Sequence, residues 1–168
     1  MNNIQSMLTI GAIALFSLIS IRFNSSVLEN MTVEVENKIY LTAFSLADDL
    51  IEEIKQKAFD EETVVFRSIS PEELTPNNQF APEVLDPGEN GDHSTWDDID
   101  DFNGFNKTVS LPHAEGFNVS CQVDYVQEDN YEQISSVQTF FKRVEVRVTS
   151  DYLRSPVKLT FIFTLHSK

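Results

Sequence analysis

Between Gly11 and Pro71 the chain contains neither glycine nor proline, so neither of the two strongest helix breakers interrupts that span. Apolar residues recur through it at Leu28, Met31, Val35, Ile39, Ala43, Leu46, Leu50, Ile54 and Ala58, in steps of three and four. That is the period of one helix face. Glu34, Lys38, Asp48, Asp49, Glu52, Glu53 and Lys55 occupy other faces. Upstream, the eighteen residues from Ile4 to Ile21 carry no charge, although the whole chain has a formal net charge of -15. At about 1.5 Å per residue they come close to the roughly 30 Å thickness of membrane hydrocarbon. Ser6, Thr9, Ser17 and Ser20 can bond back to helix carbonyls, and Gly11 is tolerated in such a helix. The pattern predicts one nearly continuous helix from about residue 2 to about residue 58, roughly 85 Å long. Phe23-Asn24-Ser25-Ser26, with three poor helix formers in a row, is where a bend or a melted turn is expected. The stripe drifts at nearly 3.6 residues per turn and widens at Leu46-Ala47 and Leu50-Ile51, which suits a helix lying on a sheet better than a heptad coiled coil.

The apolar run does not read as a removable secretion signal. The Met1-Asn2-Asn3 stretch before it has no Lys or Arg, and the run exits into Arg22 and Phe23 rather than small residues. It reads as an anchor that stays. The chain's 168 residues allow one core plus one long appended element. The charge is uneven: acids outnumber bases 8 to 4 in residues 1–60 and 12 to 1 in 61–104, and they balance at 7 each in 105–168. A middle of that sign repels phosphate, and no Lys/Arg stripe interleaves with aromatics, so nucleic acid is not expected as a partner.

Residues 60–115 hold five of the six prolines and just over half of the acids. Apart from a short strand at Val64–Ile69, they are expected to form a long acidic loop region. Three alternating segments follow: Phe117–Val126, Thr139–Val148 and Pro156–Leu165. Phe117, Val119, Cys121, Val123 and Tyr125 share one strand face, as do Val144, Val146 and Val148, and then Val157, Leu159, Phe161, Phe163 and Leu165. An antiparallel meander with one apolar face results, and the helix stripe ending at Ala58 is its obvious cover. The expected class is α+β: a long N-terminal helix (1–59), apolar in its first half and amphipathic in its second, a loop region (60–115), and an antiparallel sheet (116–168).

Candidate chemistry is sparse. Asp97, Asp98, Asp100 and Asp101 with Asn103 form the only dense oxygen cluster, and hard cations such as Ca²⁺ take six to eight oxygens. An EF-hand loop is excluded, because starting at Asp98 its fifth position is Phe102 and its twelfth Val109. The cluster leaves two readings open, a calcium site of another kind or a solvated acidic loop, and no other cofactor is implied. Cys121 is the lone cysteine, which rules out an intramolecular disulfide, and its place in the alternation makes it a core thiol. His93, His113 and His166 have no metal-ligand spacing. There is no phosphate-binding glycine loop and no Gly-x-Ser-x-Gly elbow, and no nucleophile pairs with a base, so no catalytic residue is assigned and no enzyme is expected.

The order of a long helix, apolar and then amphipathic, a variable loop, and a C-terminal antiparallel sheet resembles the type IV pilin and pseudopilin family. Two stretches strengthen the likeness. SLADDLIEEIKQKAFDEE (Ser45–Glu62) is similar to the end of the long helix in minor pilins and pseudopilins, and DDIDDFNGF (Asp97–Phe105) followed by FNVSCQVDYV is similar to their loop and first strand. The resemblance implies a subunit of an extracellular surface filament that waits in the cytoplasmic membrane before assembly. Its partners would be copies of itself in a helical homopolymer and the pilus assembly machinery. It implies an assembly helix carried here by Met1, Gln5, Leu8, Ile13, Leu15, Phe16, Leu18, Ile19 and Ile21. The family begins with a basic leader that is removed before a methylated apolar residue. No such leader precedes Met1 in this sequence, so Met1 is expected to be either that mature residue or an initiator. The family's acidic fifth residue is Gln5 here, which accepts hydrogen bonds but brings no charge. The alternative is a single-pass membrane protein whose acidic extracytoplasmic domain binds a ligand and never polymerises.

Overall fold

A computed structural model describes residues 3–65, 70–80, 93–111 and 114–165. The chain divides into two compact units, Met1–Ile39 and Tyr40–Lys168. One helix, α1 (Asn3–Ile54), supplies the whole described part of the first unit and enters the second. It is helical straight through Phe23-Asn24-Ser25-Ser26, so the expected melted turn is absent. Thr9, Ser17 and Thr32 each donate a side-chain hydrogen bond to the carbonyl four residues back, which absorbs polar groups within the helix itself. Helix α1 stops four residues before the expected end. Lys55–Lys57 form a turn, and Ala58 pairs with Asp98 as a parallel bridge in which Ala58 N–H donates to Asp97 O at 2.8 Å and Ile99 N–H to Ala58 O at 3.1 Å.

In the second unit α1 packs on a five-stranded antiparallel sheet, so the α+β class holds. The strands are β1 (Asn106–Leu111), β2 (Ala114–Gln127), β3 (Asn130–Ile134), β4 (Phe141–Thr149) and β5 (Val157–Thr164). Their order is β1-β2-β4-β5, with β3 paired to the far end of β2. The three expected strands are β2, β4 and β5, while β1 and β3 are additional. Strand β1 falls inside the stretch expected to be loop, and β3 is exposed along its length, so it has no inward face for a pattern to report. The other departure is at Val64–Ile69: Glu61–Val65 is a short helix, α2, and 66–69 lie outside the described residues. Asp60 opens that helix, accepting from Glu62 N–H at 3.3 Å through its side chain and from Thr63 N–H at 2.8 Å through its carbonyl. This local bonding diverts β-branched residues from a strand.

Register builds the core in rows. Val119, Val148 and Val157 lie abreast, then Cys121, Val146 and Leu159, then Val123, Val144 and Phe161. The inward residues of β2 and β4 are all buried, whereas those of edge strand β5 are half-buried or exposed. From α1, Ala43, Ala47, Leu50, Ile51 and Ile54 are buried, and earlier members of the same stripe, Leu28, Met31 and Val35, are exposed. The outer face is polar and cross-paired: Asp124 and Arg143 are register partners whose side chains meet at 3.3 Å, and Glu145 meets Lys158 at 3.0 Å.

Ala43 and Ala47 are both fully buried, so their small side chains set how closely α1 approaches its cover. Ala47→Leu should therefore destabilise the second unit by about 1–3 kcal/mol through overpacking, measured by thermal unfolding of the full chain in detergent. An exposed-face change such as Asp48→Asn should leave the melting point within experimental error.

Candidate functional site

Strand β4 carries a lysine on its apolar face. Position 142 lies two before Val144 and four before Val146, and it is register partner to Tyr125 and Phe163. Lys142 is completely buried. An ammonium group there needs anions brought to it. The Ala58–Asp98 bridge supplies them, because two residues beyond it along each parallel segment stand Asp60 and Asp100. Lys142 Nζ donates to Asp60 Oδ2 at 2.7 Å, to the Phe59 carbonyl at 2.7 Å, and to Asp100 Oδ1. The rings of Phe59, Phe80 and Tyr125 surround Nζ, with centroids 4.6, 5.0 and 5.1 Å away. They form a dry wall that also contributes cation–π attraction.

The three nearby carboxylates are treated differently. Asp60 is fully satisfied: Oδ1 accepts from Thr75 N–H at 3.1 Å and Thr75 Oγ1 at 3.0 Å, and Oδ2 accepts from the Tyr125 hydroxyl at 2.8 Å. Burial works against its charge more than any other single influence. Lys142, the Thr75 N–H and the Tyr125 hydroxyl together still hold its carboxyl below the usual aspartate value. Asp98 spends Oδ1 on the N–H groups of Asp100 and Asp101, at 2.7 and 3.2 Å, and its Oδ2 is buried without a partner. Burial pushes Asp98 up to about 6 against the pull of Lys142. Asp100 has Lys142 at Oδ1 and nothing at its buried Oδ2, and burial, with the charges of Asp98 and Asp60, pushes it up to about 9. Tyr125 is raised as well, first by burial and then by the negative charge of Asp60 and Asp100. Lys142 pairs with the Asp60 carboxylate, Asp100 is held as an acid, and Asp98 loses its proton as pH rises through about 6.

The acidic cluster of the sequence is thus largely an interior structure. Asp98, Asp100 and Asp101 are buried, and Asp97 is exposed. Asp101 Oδ2 accepts from Asp98 N–H at 3.3 Å. Asn103 donates to the Phe80 carbonyl at 3.3 Å and accepts from Val123 N–H at 3.2 Å, fastening the loop to β2. Among the described residues no group of three or more His, Cys, Asp or Glu is arranged to hold a metal ion. Cys121 is buried in the sheet, its thiol pushed up to about 12 by burial. His93 bridges α1 and β1, with Nδ1 2.9 Å from Glu53 and Nε2 3.0 Å from Lys107. His113 and His166 lie outside the described residues. Sequence reasoning missed Lys142 and Asp60 as partners. The signal was present: continuing the β4 alternation backward from Val144 lands on Lys142.

The residues expected to serve assembly form a second candidate surface, within α1. Ile4, Leu8, Ile13, Leu15, Phe16, Leu18, Ile19 and Ile21 are all exposed, at 61% or more. Gln5 is exposed too, its carbonyl accepting from Thr9, and Met1 lies outside the described residues. At about 100° per residue, Ile13, Leu15, Phe16, Leu18 and Ile21 together lie on every side of the helix. Helix α1 is long and apolar enough to cross a membrane. Comparison of the chain with protein-family models, with curated proteins and with solved structures finds no match.

The raised value of Asp98 sets a pH dependence. Folding holds a proton on this group, so its contribution is fully present below the unfolded value of 3.8 and is lost as pH rises through about 6. Asp98→Asn keeps the Oδ1 acceptor and removes the titration. Between about pH 4 and about pH 7, wild-type stability should fall relative to Asp98→Asn by up to roughly 3 kcal/mol. Paired thermal melts across that range check it, and parallel curves would refute the assignment.

Proposed function

We propose that this protein is a structural, non-catalytic subunit of an extracellular filament of the type IV pilus kind. The observation that carries the reading is the surface of α1 from Ile4 to Ile21, which is uncharged, apolar and exposed on all sides. Such a surface requires cover on all sides. Before assembly the cover is the hydrocarbon of the cytoplasmic membrane, which this helix is long enough to cross. In the filament it is the same segment of neighbouring copies. A charged position would block the exchange of one cover for the other, and none occurs in the segment. Burial at about 25 cal/mol per Å² of apolar area, repeated for each subunit, makes the polymer cohesive, and head-to-tail contacts leave its ends open for growth. The assembly machinery and the membrane are the partners before export. Gln5, where the resembling family has an acid, can still accept a hydrogen bond from a neighbour.

Ile13→Lys places a charge in the middle of the run. Electron microscopy of sheared surface material should show fibres for the wild type and none for the variant, with thermal unfolding of residues Tyr40–Lys168 in the full chain unchanged. Abundant fibres from Ile13→Lys would overturn the proposal. A wild-type chain found only in membranes, with no fibres, would overturn it too, in favour of a membrane-anchored binding module that does not polymerise.

A further inference from the structure

The buried group around Lys142 holds more than an ion pair needs. A single carboxylate would neutralise the ammonium, yet the pocket presses a second, Asp100, against the same nitrogen while leaving its Oδ2 buried and unpartnered. The two carboxyls are unequal as chemical groups. Asp60 accepts hydrogen bonds at both oxygens from Thr75, Tyr125 and Lys142, an environment that keeps it anionic and a poor electrophile, and so the group free to receive a proton. Asp100 has no donor but Lys142, so it is the better electrophile as the free acid. A nucleophile, an electrophile and a base therefore meet inside three aromatic rings.

We propose that Lys142 and Asp100 join in an intramolecular isopeptide bond, with Asp60 as the catalytic base and acid. The Asp60 carboxylate takes one proton from the Lys142 ammonium, 2.7 Å away, and frees the nitrogen lone pair. That pair attacks Cγ of the Asp100 carboxylic acid, forming the C–N bond and moving the carbonyl π electrons onto oxygen. When the carbonyl re-forms, the bond from Cγ to the acid's hydroxyl oxygen breaks. The hydroxyl leaves as water with a second proton from nitrogen, passed through Asp60. Ammonium, carboxylate and acid become a neutral amide, one water and a protonated Asp60, with no change of oxidation state and no co-reactant. Fixed proximity substitutes for activation of the acid, since well-oriented intramolecular partners reach effective molarities of about 10⁵–10⁸ M. The base supplies a further factor of about 10²–10⁴. An apolar pocket that disfavours water also favours the condensed product. The Asp98 side chain, accepting from Asp100 N–H at 2.7 Å, holds the acyl donor in position. The bond would tie β4 covalently to the loop that precedes β1 and close a ring across 42 residues. It does not depend on whether the chain polymerises.

Full-length protein purified in detergent is denatured, digested with trypsin and examined by mass spectrometry. The expected result is a branched peptide joining the segments that contain Asp100 and Lys142, one water lighter than its two parts, with cleavage after Lys142 blocked. The Lys142→Arg and Asp100→Ala chains should give only linear peptides. Wild-type protein yielding linear peptides of full mass, cut after Lys142, overturns the proposal whatever the variants do. Asp60→Asn leaves both reacting groups in place and should lower the branched fraction at least tenfold after matched incubation. A folded Asp60→Asn chain that cross-links as fast as wild type overturns the role given to Asp60.

Discussion

A lysine on the inward face of a central strand is a demand placed on the rest of the fold. An unpaired ammonium in that position would carry a desolvation cost of several kcal/mol, more than most domains could absorb within a total stability of about 5–15 kcal/mol. Lys142 can be inside only because the turn after α1 and the loop before β1 run side by side at Ala58 and Asp98 and deliver Asp60 and Asp100 together. The same requirement explains why Thr75 and Tyr125 converge on Asp60, and why aromatic rings rather than water enclose the nitrogen. Helix end, loop and sheet are each held by their share in one charge.

This centre accounts for what could and could not be read from the chain. The apolar stripe of α1 and the alternation in β2 and β4 follow from periods of 3.6 and 2, which survive in sequence because each element buries one face. The Lys142 centre depends on which segments meet, and Asp60 and Asp100 are brought together by a single bridge between residues 40 positions apart. The acidic composition of 61–104 gave the sign of the charge but not its direction. Counted residue by residue, Asp98, Asp100 and Asp101 look like solvated surface, and they are interior. Strand β3 has no buried face and β1 alternates only weakly, so neither announces itself. The expected strand at Val64 failed for a different reason: side-chain bonding at Asp60 and Thr63 starts a helical turn where β propensity alone argues otherwise.

Along α1 the rules change at the boundary between the two units. From Ala43 to Ile54 the helix has one buried face, charge is tolerated elsewhere, and Glu52 pairs with Lys55 at 2.6 Å on the open side. From Ile4 to Ile21 no face is buried and no charge is present. A one-sided helix needs one neighbour, whereas a helix apolar all round needs a surrounding medium. Among the described residues only the first kind of cover is present.

Those two kinds of cover have different physical consequences. Apolar contact is non-directional and tolerates sliding, which would suit the proposed passage from lipid to a bundle of like helices. The Lys142 centre is directional, dry and charge-dependent. A purely ionic version would weaken whenever the pocket opened to water or Asp60 became protonated. Covalent closure between Lys142 and Asp100 removes that dependence, because an amide carries no charge to be screened or titrated. It also eases the burden left by the surplus carboxylates. Once the nitrogen is an amide, Asp60 keeps its bonds from Thr75 and Tyr125 and holds the transferred proton, so none of the three reacting groups remains ionised.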